Sequence, residues 1–569
     1  MSATADAHTG PPPGERTKKL ALVSAILAST IAAVDSSAVN VALPAIGRDL
    51  GGGFAAQQWV ANAYLLTLSA LILLAGSLTD RLGERRVFVA GVTGFGVGSL
   101  LCGVAPSIGV LIVARALQGI SGALLTPAAL AIIVAVFPKA ERGGAIGTWT
   151  AWGGIGVLAG PVLGGQIVDS ASWRWIFMIN VPIVIVALAI GRVAVPGRAA
   201  RAGTGADEPV PIDWTGAALA ASGLAGISFG LIEQPVLGWS DPGVWATLVA
   251  GLGLLATFVV YEARTNAPML PLELFAHRNF SVANAQTFAM YGGIALLGFF
   301  VTIYLQQVAG YSALESGVTG LIPTVVMFAL SARMGKLADH YGARPFLVAG
   351  PIVVAAGFGL MQRYGTSVSL LGDVVPALLV FSFGLALTVS PLTATVLADA
   401  SESDAGIASA VNNAIARTAA LVAVAAVGAV VAADHASKLD ANLGNRLPAS
   451  ANQAVVMAKR QTFGTIQSSA LPPSDRAFAE HAAASASASA FHLAMGIGSA
   501  LLVIAGIGGL ALKPKRRTDV HCAECGAGQF AGQPKAVLEG LETPGETHGG
   551  ARVGAVSGPP GRRIPGGDR

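Results

Sequence analysis

The sequence predicts an all-α polytopic membrane protein of fourteen spans, built as two six-helix halves with two extra helices between them. Three observations lead to this fold. Only 12% of the 569 residues are charged and 53% are hydrophobic, whereas soluble domains have about 25% charged residues. Apolar stretches of about 20 residues, long enough to cross a bilayer as helices, recur along the chain. A short glycine- and aspartate-containing motif occurs twice, in equivalent loops eight spans apart.

Hydropathy divides the chain into a short N-terminal tail (1–19), a first six-helix half (20–195), a linker with two extra helices (196–281), a second half (282–512) and a disordered tail (513–569). A long polar loop over 434–490 interrupts the second half, and we expect partial helix or disorder there. The predicted spans are Leu20–Ile46, Trp59–Thr79, Phe88–Ala105, Ile108–Phe137, Ala145–Val168, Ile176–Val195, Trp214–Ile232, Val244–Tyr261, Val282–Val308, Gly317–Ala338, Phe346–Met361, Asp373–Leu397, Gly406–Ala433 and Phe491–Leu512.

Basic residues predict the orientation of these spans. Lysine and arginine concentrate in alternate short connections, as in the loop with Arg81, Arg85 and Arg86. Because such loops stay on the cytoplasmic side, both termini are predicted to be cytoplasmic and the loop 434–490 external. The connection Ala398–Ala405 should be cytoplasmic by this count although it is acidic, and acidic residues carry little weight in the rule.

The first span contains one acidic residue, Asp35, about ten residues from its outer end and so roughly 15 Å deep. A charge near the bilayer centre costs about 2.5–3.5 kcal/mol on insertion scales, so an acid at this depth is a functional candidate. Burial favours the protonated form of a carboxyl group, which suits a proton carrier. Asn40 in the same span is assigned to a substrate cavity. The alternative is that Asp35 only hydrogen-bonds Asn40 or neighbouring backbone.

The fourth span carries a buried cation, Arg115, about eight residues from its outer end and therefore at a depth similar to that of Asp35. We predict that the two side chains face one cavity. The guanidinium favours the ionised carboxylate when they approach and releases it when they separate. Gln118, one turn away, is assigned to the substrate cavity, and a fixed structural ion pair is the alternative.

The two copies of the repeated motif follow the pattern G-x-L-x-D-x-x-G-x-R at Gly76–Arg85 and Gly335–Arg344. Gly76 is expected to let the second span pack tightly. Asp80, at a cytoplasmic helix end, can pair with arginines or with a helix N-terminus in the other half, and a surface salt bridge is the alternative. The residues assigned to this conformational latch are Gly76, Asp80, Arg81, Gly83, Arg85 and Asp339.

The fifth span is rich in small residues. Gly156, Gly160 and Gly164 are four residues apart, so they line one helix face and permit close contact with a neighbouring helix. Pro161 removes an amide donor and bends the helix, and Gly165 follows in the same segment. These features predict a packing helix.

These four segments resemble the signatures of the fourteen-helix drug:proton antiporter family of the major facilitator superfamily. Asp35–Pro44 is similar to D-x-T-x-x-N-x-A-L-P, with Ser37 where threonine is usual, and Arg115–Gly119 is similar to R-x-x-Q-G. The glycines of the fifth span resemble a motif of exporters. The resemblance implies two parallel six-helix halves, export by alternating access, and a latching role for the loop around Asp80.

Three polar residues lie at membrane depth in the thirteenth span: Asn412, Asn413 and Arg417. We assign them to the substrate cavity, and hydrogen bonding between helices is the alternative. The family often has R-Q-x-G-G here, whereas this chain has Arg417 followed by Thr-Ala-Ala.

Other chemistries lack the residues they need. The tail contains one C-x-x-C (Cys522 and Cys525) without the second pair that a structural zinc site requires, so no metal is expected. No G-x-x-x-x-G-K-[ST] is present, which argues against an ATP-driven pump. We therefore expect no cofactor and a proton gradient as the energy source.

The sequence thus predicts a proton-coupled exporter of amphipathic drugs or antibiotics in the cell (cytoplasmic) membrane. Its expected partners are a small substrate, protons and lipid, with no nucleic acid, and we expect a monomer that is not an enzyme. An importer of a small solute and, further away, a membrane sensor are the alternatives.

Overall fold

The structure is a computed structural model that describes residues 14–195, 212–266, 268–398, 405–444, 446–448, 451–464, 466 and 471–513. Within these residues fourteen helices are long and apolar enough to cross a membrane, which confirms the predicted fold class and number of spans. They are α1 (Glu15–Leu50), α2 (Gly53–Leu82), α3 (Glu84–Gly103), α4 (Ile108–Val136), α5 (Glu141–Ser170), α6 (Trp175–Ala194), α7 (Trp214–Leu237), α8 (Pro242–Glu262), α9 (Arg278–Gln307), α10 (Ala313–Tyr341), α11 (Ala343–Met361), α12 (Leu370–Ala398), α13 (Gly406–Leu443) and α14 (Pro473–Ala511).

Local sequence signals set several helix ends. Asp241 caps α8 by accepting a hydrogen bond from the amide of Gly243, and Pro242 occupies the first turn, where its missing amide costs nothing. Ser312 and Glu315 form a reciprocal capping box at the start of α10. The polar residues between spans therefore end one helix and begin the next, so each apolar stretch becomes a separate span.

The two halves repeat the same packing. In the first half α2 packs on α4, α3 on α4, α1 on α5, and α6 on both α1 and α3. The same five pairs recur eight helices later, among α9 to α14. The motif repeat is also a structural repeat, because Gly83 and Gly342 end α2 and α10 with φ of 88° and 87°. Only glycine adopts this backbone readily.

The two extra helices form a hairpin against the side of the bundle. Helix α7 packs on α8, α2 and α13. Its Leu224 lies in a small apolar cluster with Ala70 of α2 and Leu421 of α13. Trp59 of α2 donates a hydrogen bond to Glu233 of α7 (2.7 Å). Helix α7 therefore contacts both halves.

The segment 434–490 is largely helical where the structure describes it. Helix α13 continues to Leu443, α14 begins at Pro473, and a short helix, Asn452–Arg460, lies between them. Their alanine- and leucine-rich faces form a separate core that includes Leu439, Ala454 and Ala483. Hydropathy detects α13 and α14 only partly, because their extensions bury small residues against one another and expose charges.

Hydrogen bonds join the two halves at one end of the bundle. Asp169, at the end of α5, accepts from the amides of Ala313 (3.1 Å) and Leu314 (2.8 Å) at the start of α10. Nearby, Gln306 of α9 donates to the carbonyl of Val41 in α1 (3.0 Å). We call this end of the bundle the Asp169 end. It is the end that the distribution of basic residues predicts to be external.

Several predicted features lie outside the described residues. These are most of the N-terminal tail, the linker 196–211, the acidic connection 399–404, and the tail 514–569 with Cys522 and Cys525.

Candidate functional site

Asp35 and Arg115 form an ion pair inside the first half. Arg115 Nη1 of α4 lies 2.6 Å from Asp35 Oδ2 of α1, and the two side chains are 2% and 0% exposed. Taking two such charges out of water costs several kcal/mol per ion, so the pair is stable only while each partner and its hydrogen bonds are present. Helices α1 and α4 are held so that the two charges meet.

The other oxygen of Asp35 is also occupied. Gln118 Nε2 and Asn180 Nδ2 each donate to Asp35 Oδ1 at 3.0 Å. Both amides also donate to Ser99 Oγ, at 2.9 and 3.3 Å. The ionised carboxylate therefore receives three hydrogen bonds, from residues of α4 and α6.

Sequence reasoning missed two members of this network. Asn180 is 1% exposed and Ser99 is fully buried. Asn180 was detectable as an amide within the apolar sixth span, next to Val181-Pro182. Ser99 gave no signal, because serine is common in packed membrane helices. Gln118, assigned to the substrate cavity, is instead fully buried in this network, so that assignment is corrected.

Arg115 has a complete set of partners of its own. Its Nε donates to the carbonyl of Val60 (3.3 Å) and its Nη1 to Gln118 Oε1 (2.6 Å). The guanidinium also lies over the rings of Tyr64, at 4.5 Å, and Phe177, at 5.7 Å. These cation–π contacts are strongest where water is excluded. Arg115 is thus fixed by α2, α4 and α6 together.

The network formed by Asp35, Ser99, Arg115, Gln118 and Asn180 can hold or release one proton. In its ionised form the Asp35–Arg115 pair is neutral. Protonating Asp35 replaces an acceptor by a donor and leaves the Arg115 charge without its counterion. Because an unpaired buried cation is costly, the protonated form favours a rearranged packing of α1 and α4.

The glycines of α5 permit contacts with two different helices. A methyl group at Gly160 would overlap Ser37 Oγ and lie 2.8 Å from the carbonyl of Val34, so α5 touches α1 backbone to backbone. Gly156 and Gly164 lie against the same helix. Gly165 instead faces α10 of the other half, where an added methyl would lie 2.6 Å from the carbonyl of Ala313.

Pro161 also faces the other half, because its carbonyl lies against Gly317 of α10. Helix α5 is therefore in contact with α1 on one face and with α10 on another. Both contacts depend on the absence of side chains at the glycines.

The polar residues of α13 have different environments. Asn412 is half-buried and donates to Asn284 Oδ1 (3.0 Å) and Thr287 Oγ1 (2.8 Å) of α9, so it joins α13 to α9, and its place in a substrate cavity stays a prediction. Arg417 is half-buried and lies near Tyr64 of α2 and Tyr291 of α9. Asn413 lies one turn before Arg417 and is half-buried.

Asn40 lies between the halves. It is half-buried, and its Nδ2 would be 3.7 Å from a methyl group added at Gly298 of α9. Gly298 lies in a π-helical turn, Leu297–Val301, within α9. Such turns are frequent at functional sites. Asn40 is thus placed where a molecule bound between the halves would meet it.

The residues of the predicted latch lie at the end of the bundle opposite the Asp169 end. Asp80 and Arg81 are exposed at the end of α2, and Asp339 is exposed at the equivalent position of α10. Arg85 donates to the carbonyl of Arg192 within the same half (2.9 Å). A methyl group at Gly76 would meet nothing within 4 Å, so the tight packing expected at that glycine is wrong.

Comparisons with known proteins agree with this architecture. A sequence profile described as Major Facilitator Superfamily matches residues 25–425. The puromycin resistance protein of Streptomyces alboniger is 35% identical over 401 residues, which cover 69% of this chain and 77% of that protein. The cephamycin export protein of Amycolatopsis lactamdurans is 34% identical over 403 residues, covering 70% and 82%.

Among solved structures, a bacterial homologue of the human lysosomal transporter Spinster, in an inward-facing and occupied conformation, has a TM-score of 0.58 at 16% identity. The match covers 88% of this chain and 97% of that chain. At this identity the likeness shows the fold alone.

Proposed function

The chain belongs to the Major Facilitator Superfamily, and we propose that it exports amphipathic drugs or antibiotics across the cell membrane by alternating access in exchange for protons. Members of this superfamily are transporters. We further propose that the protein is not an enzyme, has no cofactor, works as a monomer and has both termini in the cytoplasm. The Asp169 end is then the external face.

The observation that carries proton coupling is the burial of Asp35 among groups that pair with its ionised form. The carboxylate is fully buried and bonded to Arg115, Gln118 and Asn180. A change of conformation that separates α1 from α4 removes these partners and favours protonation. Proton occupancy is thereby linked to the arrangement of the helices.

One carboxyl group is enough to make export useful. A membrane potential of 100 mV supplies about 2.3 kcal/mol for each elementary charge that moves inward. At about 1.4 kcal/mol per tenfold change, this sustains roughly a 50-fold gradient of an uncharged substrate. Export therefore requires no nucleotide hydrolysis.

The direction of transport is supported by the relatives, and the contacts of α5 suggest how the proton site is connected to the two halves. The relatives are named as resistance and export proteins. In this chain, the glycines of α5 lie against α1, which carries Asp35, and Gly165 and Pro161 lie against α10 of the second half. Helix α5 therefore links the proton site to the contact between the halves.

A drug-susceptibility panel in a host that lacks its own efflux pumps tests the proposal. A cephamycin and puromycin are the first compounds to include, because one relative is named for export of cephamycin and another for resistance to puromycin. Wild-type protein is expected to raise the inhibitory concentration of at least one amphipathic compound, and Asp35→Asn is expected to abolish the increase at equal expression. Uptake of the compound by right-side-out membrane vesicles would indicate an importer and contradict the proposal.

A further inference from the structure

A second intramembrane arginine, Arg417, has no protein counterion among the residues that the structure describes. It lies on α13 about eleven residues after Gly406, roughly 16 Å along the helix. Its Nε is buried and has no hydrogen-bond partner. The described ion pairs do not include it, whereas Arg115 at a similar depth has a carboxylate at 2.6 Å. The two intramembrane cations therefore have different partners among the described residues: Arg115 is buried and paired, and Arg417 is half-buried and unpaired.

An unpaired guanidinium at this depth is costly. Intramembrane charges are normally paired or face a cavity, and a buried donor without an acceptor loses the hydrogen bonds that it had in water. Sharing Asp35 would leave Arg115 uncompensated. The surroundings of Arg417 therefore call for an anion that the described residues do not supply.

The side chains around Arg417 suit an acidic group of a ligand. Tyr64 and Tyr291 lie near it, and both carry a hydroxyl group that can donate a hydrogen bond. Asn413 adds an amide one turn away. Two helices of the second half, α9 and α13, and one of the first half, α2, supply these groups, so the site lies between the halves.

Tyr64 also connects this site to the proton site. Its ring lies 4.5 Å from the Arg115 guanidinium, which in turn is paired with Asp35. A ligand that moves Tyr64 must also disturb the contacts of Arg115. Arg115 and Arg417 therefore share Tyr64 as an aromatic neighbour, and a change at either arginine can alter the position of its ring.

We propose that Arg417 binds the ionised acidic group of the transported compound, so that the substrate class is an amphipathic monoanion. This inference rests on the proposed export function and adds the chemistry of the substrate. A guanidinium forms charge-assisted hydrogen bonds with a carboxylate or a phenolate. These are stronger than the hydrogen bonds that an uncharged amphipathic compound could form with it. Export of a monoanion in exchange for one proton moves two elementary charges per cycle.

The test compares two probes that differ only in charge, 1-pyrenebutyrate and its neutral amide, 1-pyrenebutyramide. Binding to the purified full-length protein in phosphatidylcholine nanodiscs is followed by pyrene fluorescence anisotropy. The wild type is expected to bind the acid about 10-fold or more tightly than the amide. Arg417→Gln is expected to remove this preference and Arg417→Lys to retain most of it. Arg333→Gln, an exposed arginine of α10, is the matched control and is expected to bind both probes as the wild type does.

Three results would overturn the inference. The wild type could bind both probes equally, or bind neither. Arg417→Gln could keep the preference of the wild type for the acid. Phosphatidylglycerol in the nanodiscs could abolish acid binding to the wild type, which would show that an anionic lipid, and not the substrate, occupies Arg417. The first result requires only the wild type, so it decides the matter even if the variants do not fold.

Export measured with the protein reconstituted in liposomes distinguishes failure of this inference from failure of the proposed function. Asp35→Asn is expected to stop pH-driven export while leaving acid binding within about threefold of the wild type. Equal binding of the two probes by a wild-type protein that still shows pH-driven export contradicts the role of Arg417 alone. Acid binding without pH-driven export contradicts the proposed function alone. In the wild type, acid export is expected to carry two charges per molecule, and a value of one would show that the ionised form is not transported.

Discussion

The carboxyl group of Asp35 contacts one opposite charge and two neutral hydrogen-bond donors. Arg115 supplies the counterion, Gln118 and Asn180 supply neutral donors, and Ser99 accepts from both amides. The set draws on α1, α3, α4 and α6. A change in one residue therefore alters the packing of several helices. Binding of a single proton to Asp35 can in this way affect the whole first half.

The first prediction concerns the coupling between Asp35 and Arg115. Arg115→Ala is expected to destabilise the protein by about 3–5 kcal/mol, because it leaves a buried carboxylate without its counterion. Asp35→Asn alone is expected to destabilise it through the unpaired arginine. The double variant Asp35→Asn, Arg115→Ala is expected to be more stable than the sum of the single changes predicts. Thermal unfolding of all four proteins in one detergent measures this.

Strict additivity of these two changes would show that the pair does not interact, and the assignment of the ion pair would then be wrong. All three variants are also expected to have lost proton-driven export. Restored stability without restored export would distinguish the role in coupling from a role in folding.

At the scale of helices, α5 provides a comparison within one element. Gly160→Ala places a methyl group against Ser37 and the carbonyl of Val34, so α5 must move away from α1. Gly153→Ala, in the same helix, meets nothing within 4 Å. Since alanine is favoured over glycine in helices by up to about 1 kcal/mol, Gly153→Ala is expected to be neutral or stabilising. Gly160→Ala is expected to lower both the melting temperature and the export rate.

Equal melting temperatures and export rates for these two alanine variants would contradict the close contact between α5 and α1. A loss in both variants would point to a general need for flexible glycines in α5.

The helical segment between α13 and α14 supplies another test. Phe463 is 1% exposed, and its ring centroid lies 5.6 Å from that of Phe54 in α2 and 6.1 Å from that of Phe300 in α9. It therefore packs against both halves at the Asp169 end. Phe463→Ala is expected to destabilise this contact by about 3–5 kcal/mol and to speed hydrogen–deuterium exchange in Ala313–Thr319 at the start of α10.

Phe478→Ala is the matched control, because Phe478 packs on the core formed within the 434–490 segment. It is expected to leave exchange in Ala313–Thr319 unchanged. Faster exchange there in both variants, or in neither, would show that Phe463 does not hold the two halves together.

The sequence predicts the elements of this fold better than its contacts. Apolar length alone locates all fourteen helices, because a helix is the structure that satisfies backbone hydrogen bonds in lipid. Hydropathy sees only part of the α13 and α14 extensions, since alanine and serine bury little apolar surface. The partners of Asp35 are harder still. Depth along a helix suggests Arg115, but which face Asn180 or Ser99 presents depends on helix rotation, which the pattern does not define.

At the scale of the whole molecule, the two halves are built alike and carry different chemistry. The five packed pairs of α1 to α6 recur in α9 to α14. The first half holds a complete neutral pair, whereas the described part of the second half holds Arg417 without a counterion. In the proposed cycle the first half carries the proton and the second half contributes the cation that faces the substrate.

The contacts at the Asp169 end fit a state closed on that side. Asp169, Gln306 and Phe463 all bridge the halves there. Alternating access requires these contacts to break while the opposite end closes. Because Asp80 and Asp339 occupy equivalent places at that opposite end, both are expected to be in new contacts when it closes, as the repeat of the motif implies.

Proton release on substrate binding tests most directly whether Asp35 couples transport to protons. Purified protein in weakly buffered detergent is mixed with a compound to which its expression confers resistance, and a pH-sensitive dye records protons released per molecule bound. The wild type is expected to release a proton when it binds the compound, and Asp35→Asn is expected to bind the compound and release none. Equal proton release by the two proteins would show that another group couples substrate to protons.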